Sequence, residues 1–380
     1  MHITAVDVIA VRVNHRGDWL HVRLTTDAGL IGFGEASHGG ATPGRDAIVA
    51  AIITHACRPL LLGKDPRSVR ATIAPLVALM DGLAGCTAVS GCEQALWDLA
   101  GKAAGVPVYR LLGGPARDRI PLYANINRAV RTRTPEAFAA AAVAAAHEGF
   151  RAIKCAPFDG MEQRRVQHRD QRAHIRHGVQ CLQAMRNAVG PDVDLYVDCH
   201  SRFDVPTAVT LAGELRALGI TWFEEPVPTE DLAALTRLRT LVGDMETVGG
   251  ETLAGVGGFL RYLTAGVWDC IMPDVKHCGG IGPLLAIAEA ADAYGVTVAP
   301  HNPSGPVALA ATAQVAATLP TLRAFEYAWG EVAWRPDLVS PRERIEDGAY
   351  VLPDTPGIGV ALDAAVVAAH AVEPGTSGTR

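Results

Sequence analysis

The apolar and polar positions along about the first 35 residues follow the period of strands. ITAVDVIAVRV (3–13) and HVRLTTDAGLIGFGEAS (21–37) alternate, while NHRGDW (14–19) reads as a connecting loop and Asp27-Ala28-Gly29 as a turn. From about residue 43 to 105 the spacing becomes helical and ends in VSGCEQALWDLAGKAAGV. There Glu93, Asp98 and Lys102 punctuate an Ala/Leu/Trp face, and Gly105 with Pro107 stops the helix. Strands followed by helices, without alternation, predict an α+β unit.

Beyond residue 119 the pattern changes to short apolar runs. They are IPLYAN at 120, FRAIKC at 150, LYVDCH at 195, TWFEEP at 221, TVGGET at 247, DCIMPD at 269, VTVAPH at 296 and LRAFEY at 322. Their starts lie 30, 45, 26, 26, 22, 27 and 26 residues apart. Helical stretches separate them, such as TPEAFAAAAVAAAHEG with Thr134 as N-cap, Pro135 at N1 and Gly149 at C′. Eight strand–helix units at this spacing predict a parallel (β/α)8 barrel. The polar stretch at 159–178 in the longest gap reads as an enlarged loop. The last 50 residues have no barrel unit left to build and are expected to return to the first unit. The expected division is a capping domain over 1–118, a barrel over 119–335 and a returning segment over 336–380.

Composition narrows the functional classes. With 49% hydrophobic and 19% charged residues the chain is globular. A net charge of −6 with no basic blocks argues against a nucleic-acid or anionic-membrane partner. No apolar run approaches the ~18 residues of a membrane span. The N-terminus lacks a basic leader region and carries Asp7 within its apolar stretch, so no signal peptide is expected. Eight cysteines without a CxxC pair read as reduced thiols of a cytoplasmic protein. A closed homo-oligomer is the common outcome for such chains and is the expectation here.

The predicted strand ends are polar in a way that packing does not require. Lys154 ends the second barrel strand, Asp198 and His200 the third, and Glu224 and Glu225 the fourth. Glu251, Asp274, His301 and Glu326 end the remaining four in turn. In a barrel all of these face one crevice. Any single carboxylate is as easily a partner for a barrel lysine or arginine, but Asp198, Glu224 and Glu251 on adjacent strands would repel one another. A hard divalent ion, Mg2+ best, resolves that repulsion. Asp274 beside His301 would fix the imidazole tautomer and raise its basicity, as a general base needs. His200, two residues past Asp198, is predicted on the same strand face; a fourth ligand, a hydrogen-bond donor and an acid are all open to it.

VSGCEQALWDLAGKAAGVPVYRLLGG, VDCHSRF, WFEEP, GGETLAG, IMPDVKHCGGI and APHNPSGP, in this order, resemble the enolase superfamily and its mandelate racemase subgroup over about residues 1–360. The resemblance implies a modified (β/α)7β TIM barrel, with an N-terminal α+β capping domain completed by the C-terminal tail. It implies Mg2+ on Asp198, Glu224 and Glu251, a His301–Asp274 base, and Glu326 donating to an enolate oxygen. Mandelate racemase has a Lys-x-Lys at the second strand, whereas this chain reads Lys154-Cys155-Ala156 and lacks the second lysine. Asp198-x-His200 instead resembles the acid-sugar dehydratases of the galactonate dehydratase type, in which the histidine protonates the departing hydroxyl. Lys154 then binds the substrate carboxylate or enolate, or serves as a structural ion pair.

The expected activity is therefore a hydro-lyase: a Mg2+-dependent dehydratase of a small-molecule acid sugar. Alternatives are a racemase or epimerase, a Schiff-base aldolase using Lys154 that would leave three carboxylates without a use, and a silent sugar-acid binding protein. Specificity is expected from cap loops at His15–Trp19 and Ser37–Arg45 and from the 159–178 loop, with Trp19 as part of a lid. Asn125, Asn127 and Arg202, near strand ends, are further candidates for substrate contact.

Overall fold

The computed structural model describes residues 1–14, 17–38, 44–161 and 169–374. The first sheet holds β1 (Ile3–Asn14), β2 (Gly17–Thr26) and β3 (Ile31–Glu35), antiparallel. Short helices α1 (Arg45–Ala51), α2 (Arg58–Leu61) and α3 (Val69–Ile73) lead to the long α4 (Gly82–Ala104) and to α5 (Val108–Leu111). Gly105, in the left-handed region at φ 71°, ends α4 where the sequence requires it.

The barrel strands are β4 (Arg119–Asn125), β5 (Ala152–Cys155), β6 (Asp194–Asp198), β7 (Trp222–Glu224), β8 (Glu246–Gly249), β9 (Cys270–Ile271), β10 (Thr297–Val298) and β11 (Phe325–Ala328). They pair in parallel in chain order. β11 returns to β4, and a Val298–Leu322 bridge closes the ring. Between them run α6 (Pro135–His147), α7 (Arg169–Val189), α8 (Val205–Ala217), α9 (Leu232–Leu241), α10 (Gly255–Ala265), α11 (Ile281–Ala293) and α12 (Pro306–Ala316). Thr134 caps α6 through Ala137 N–H, as its sequence position predicts.

The C-terminal segment returns as expected. β12 (Val339–Ser340) pairs with β15 (Ala361–Leu362), and the β13 (Ile345–Glu346)–β14 (Ala349–Val351) hairpin adds to β4. After α13 (Ala364–His370), β16 (Ala371–Val372) joins the first sheet at β1. All eight cysteines are free and buried. No helix of the described residues is long and apolar enough to cross a membrane.

Two expectations are corrected. The stretch 159–178 is not one enlarged loop, because α7 begins at Arg169; residues 162–168 lie outside the described residues. Ile175 and Val179 pack toward the barrel core with buried Cys181, Leu182 and Met185, so one face of the polar stretch is helical and apolar. The NHRGDW segment is likewise not a loop throughout, since Gly17, Asp18 and Trp19 already belong to β2. Gly17 to Val22 are all buried. Val22 packs on α4, and Trp19 packs on Leu338 of the returning segment, so the strand is covered on both faces and its alternation is lost. His15, Arg16 and residues 39–43 of the expected cap loops lie outside the described residues.

Candidate active site

Period-two geometry builds the site. Inside the barrel, Tyr123, Ala152, Tyr196, Trp222 and Ala324 form an apolar floor, with Tyr196 stacked on Trp222 at 4.1 Å between ring centroids. Two residues further along the same strands stand Asn125, Lys154, Asp198, Glu224 and Glu326, which therefore form the next layer up.

Lys154 is fully buried at the centre of that layer. Its ammonium donates to Glu224 Oε1 at 2.7 Å and lies 3.1 Å from Glu326 Oε1 and 3.9 Å from Asp198 Oδ2. Burial opposes its charge, but Glu224 and Glu326 outweigh that and hold its pKa well above the usual lysine range. Glu326 is gripped on both oxygens, by Asn125 Nδ2 at 2.5 Å and Asn302 N–H at 2.9 Å. Burial alone would raise its carboxyl, yet Lys154 and His301 bring it below the ordinary range.

Carboxylate oxygens of Asp198, Glu224 and Glu251 lie within 4.8 Å of one another. Burial, then the Asp198 charge, raises the Glu224 carboxyl, as like charges in a dry site must. Each member already has a proton-bearing neighbour: Lys154 for Glu224, His200 Nε2 at 2.9 Å for Asp198, and His301 Nε2 at 3.0 Å for Glu251.

The two histidines sit at the two ends of this trio. His301 Nδ1 is 2.7 Å from Asp274 Oδ2, the dyad expected from the strand ends. Burial would lower its pKa, but Glu251, Glu326 and Asp274 raise it to about 9. Asp274 is further held by the fully buried Lys276, whose Nζ lies at 2.5 Å and whose N–H donates at 2.7 Å. His277, 3.8 Å from Asp274, is brought down to about 3, mainly by burial, and is neutral.

His200 does not continue the strand face as predicted. β6 ends at Asp198, and His200 turns back with φ 45°. Its Nδ1 thereby meets Asp159 Oδ1 at 2.7 Å while Nε2 faces Asp198. Burial works against the imidazolium, but Asp198 and Asp159 raise its pKa well above the usual value.

The structure brings together Lys154, Asp198, Glu224, Glu251, Asp274, His301, Glu326, His200 and Asn125. Other candidates are used elsewhere. Asn127 Oδ1 accepts from Ala156 N–H at 2.7 Å and ties β4 to the end of β5. Arg202 donates to the Met161 carbonyl and, at 3.1 Å, to Asp159, bracing the segment that supports His200. Trp19, expected in a lid loop, is a fully buried β2 residue packed edge-on against Trp334 at 5.5 Å. Sequence reasoning missed Asp159 and Lys276. Lys276 lies two residues past Asp274 within IMPDVKHCGGI, a spacing that could have found it; nothing comparable marks Asp159.

Comparison with known proteins gives a consistent set. Residues 4–113 match the mandelate racemase / muconate lactonizing enzyme N-terminal domain, and residues 137–366 match the enolase C-terminal domain-like family. The chain is 35% identical to D-xylonate dehydratase of Haloferax volcanii, covering 97% of this chain and 89% of that protein. It is 32% identical to D-galactonate dehydratase of Verminephrobacter eiseniae, covering 92% and 90%. The crystal structure of a mandelate racemase/muconate lactonizing enzyme from Jannaschia sp. CCS1 superposes with a TM-score of 0.86 at 30% identity, covering 100% and 99%.

Proposed function

Because the chain belongs to the mandelate racemase/muconate lactonizing enzyme family of the enolase superfamily, we propose that it is a Mg2+-dependent hydro-lyase converting an acid sugar to its 2-keto-3-deoxy acid. The observation that carries this reading is the pair of differently prepared histidines, one at each end of a carboxylate trio. His301 is oriented by Asp274, and His200 is kept protonated by Asp159 and Asp198.

A trio of acceptor-only oxygens within 4.8 Å, two of its members buried, is a donor set suited to a hard divalent ion. Asp198, Glu224 and Glu251 would hold it. When bound, Mg2+ supplies positive charge beside the substrate carboxylate, where removing the α-proton builds a second negative charge.

The chain's own groups do the rest. Lys154 adds a buried cation beneath the substrate carboxylate, and Asn125 keeps Glu326 aimed at the same place. In its neutral form, reached once the Glu251 charge that holds its proton is engaged by a divalent ion, His301 takes the α-proton on Nε2 as the Cα–H bond breaks, and the electron pair moves into the C=C bond of the enediolate. That pair then expels the β-hydroxyl as Cβ–O breaks. His200 gives the leaving oxygen its proton, and the enol left behind tautomerises to the keto acid. Glu326, ionised in the arrangement described, would take a proton from solvent when the anionic substrate binds beside it and raises its pKa, and would then donate that proton in a hydrogen bond to the enediolate oxygen.

The buried Ala156, where a second lysine would stand, leaves that position without a base, so dehydration is favoured over racemisation. Asn127 and Arg202 act by holding strand ends rather than by touching substrate, and Trp19 acts as packing. Incubating the Mg2+-loaded protein with a panel of mono- and di-acid sugars and assaying α-keto acid tests the reading. A keto product from at least one sugar acid is expected. Binding without turnover across the panel would support a silent binding protein instead.

A further inference from the structure

The helices that follow the barrel strands do not all begin alike. α6, α8 and α9 each carry their own N-cap side chain: Thr134, Asp204 and Asp231 accept from Ala137, Thr207 and Ala234 N–H respectively. α11 and α12, which follow the strands leading to Asp274 and His301, begin at Gly280 and Gly305 and have no cap of their own. Their N–H groups are met instead by residues of the N-terminal unit. Glu93 of α4 accepts from Ile281 N–H at 2.7 Å and Gly282 N–H at 2.9 Å. Glu35, at the end of β3, accepts from Gly305 N–H at 2.8 Å and Ala308 N–H at 2.9 Å.

The two glycines are part of the device. A Cβ at Gly280 would fall 2.0 Å from Glu93 Oε2, and one at Gly305 would fall 2.7 Å from Glu35 Oε2. The foreign carboxylates occupy the space that a self-capping side chain would need. Gly280 also sits at φ 106°, where L side chains are strained. The loop after Asp274 is pinned further along the same helix. Thr87 Oγ1 is 2.9 Å from His277 Nδ1, Ser90 Oγ accepts from Gly279 N–H at 2.9 Å, and Gln94 Nε2 donates to the Val275 carbonyl at 3.3 Å. Gln94 Oε1 in turn accepts from Glu35 N–H at 3.1 Å, which joins the end of β3 to the loop after Asp274.

We propose that Glu35 and Glu93 are positioning residues for the Asp274–His301 dyad, acting as helix N-caps supplied by the N-terminal unit to the barrel. Burial raises the Glu93 carboxyl to about 7 against the pull of its two N–H donors, and carboxyl acceptors at helix N-termini are among the stronger hydrogen bonds a protein makes. These two fix the helix starts that immediately follow the dyad loops. The N-terminal unit thereby sets the geometry of proton abstraction, in addition to any covering of the barrel mouth. This inference rests on His301 being the base that removes the α-proton.

The test compares Glu35→Gln, Glu35→Ala, Glu93→Gln and Glu93→Ala with Asp231→Ala, which removes a self-cap far from the dyad, all as Mg2+-loaded full chains. The substrate is whichever sugar acid the wild type dehydrates. Misplacing a base by about an ångström costs on the order of 100-fold. kcat should therefore fall roughly 10- to 100-fold in the order wild type, Gln, Ala. KM at saturating Mg2+ should stay within about twofold, since substrate binding does not depend on the dyad's aim. Amide hydrogen exchange at 281–282 and 305–308 should quicken in the same order. Should Ala variants fail to fold, the Gln variants, which keep one acceptor oxygen, carry the comparison. A kcat loss no larger than that of Asp231→Ala, or a loss confined to KM, overturns the proposal. A wild type unable to exchange the α-proton of any sugar acid defeats the reading of His301 itself, and is thus told apart from failure of the caps.

Discussion

At the scale of residues, the site is a set of acid–cation pairs, and the roles of its two histidines separate experimentally. His301→Asn should abolish both turnover and exchange of the substrate α-proton with D2O, since no enediolate forms. His200→Asn should stop water loss while exchange continues, because His301 keeps Asp274 at 2.7 Å. Loss of exchange in His200→Asn, followed by NMR, would contradict the division of labour. Asp159→Asn should lower kcat about 10- to 100-fold by weakening the support that keeps His200 protonated. The carboxylate trio and the dyad were legible because each lies at a strand end or just beyond it, and strand ends converge in a barrel. Asp159 was not legible: its contact with His200 depends on a left-handed turn at His200 and a fold-back after β5, and neither has a periodic signature. The burial of Trp19 was not legible for a related reason, since its partner Trp334 lies more than 300 residues away in the sequence.

Elements follow the same logic of what is local and what is distant. The barrel strands and the N-cap of α6 could be read from periodicity and from Thr134-Pro135 because both are set within a few residues. The start of α7 was hidden by charged residues on its exposed side, although Ile175, Val179 and Leu182 already mark a helical stripe. β2 lost its alternation because the returning segment covers its second face. Trp19→Ala should accordingly act on stability: a cost of about 3–5 kcal/mol for removing a fully buried tryptophan, read by denaturant titration. A change of less than about 1 kcal/mol with altered substrate preference would return Trp19 to the pocket.

For the whole molecule, protons and a divalent cation compete for the same cluster. In the metal-free state Glu224 is raised by burial and Asp198, and His301 is raised from 6.5 to about 9 by Glu251 and its neighbours against the effect of burial. Both groups hold more protons folded than unfolded. His301 thus contributes stability that is full below about pH 6.5 and lost as pH rises through about 9, and Glu224 adds a loss of the same sign. The chelated protein should show a Tm that falls across that window, and Mg2+ should remove the fall by taking the place of the protons. Mg2+ affinity should rise with pH over the same range, with proton release seen by calorimetry in buffers of different ionisation enthalpy. A Tm independent of pH between 6.5 and 9 in EDTA would contradict the electrostatic account.

In the proposed reaction one base-generated enediolate loses a β-hydroxyl rather than being reprotonated on its other face. The measurement that meets it most directly is proton NMR of the wild type with Mg2+ in D2O, supplied with D-xylonate and D-galactonate, the acids for which its relatives are named. A 2-keto-3-deoxy acid carrying solvent deuterium at C3 is expected from at least one of them, with no epimer among the recovered substrate. Recovery of substrate deuterated and inverted at C2, with no keto acid formed, would contradict the proposed reaction.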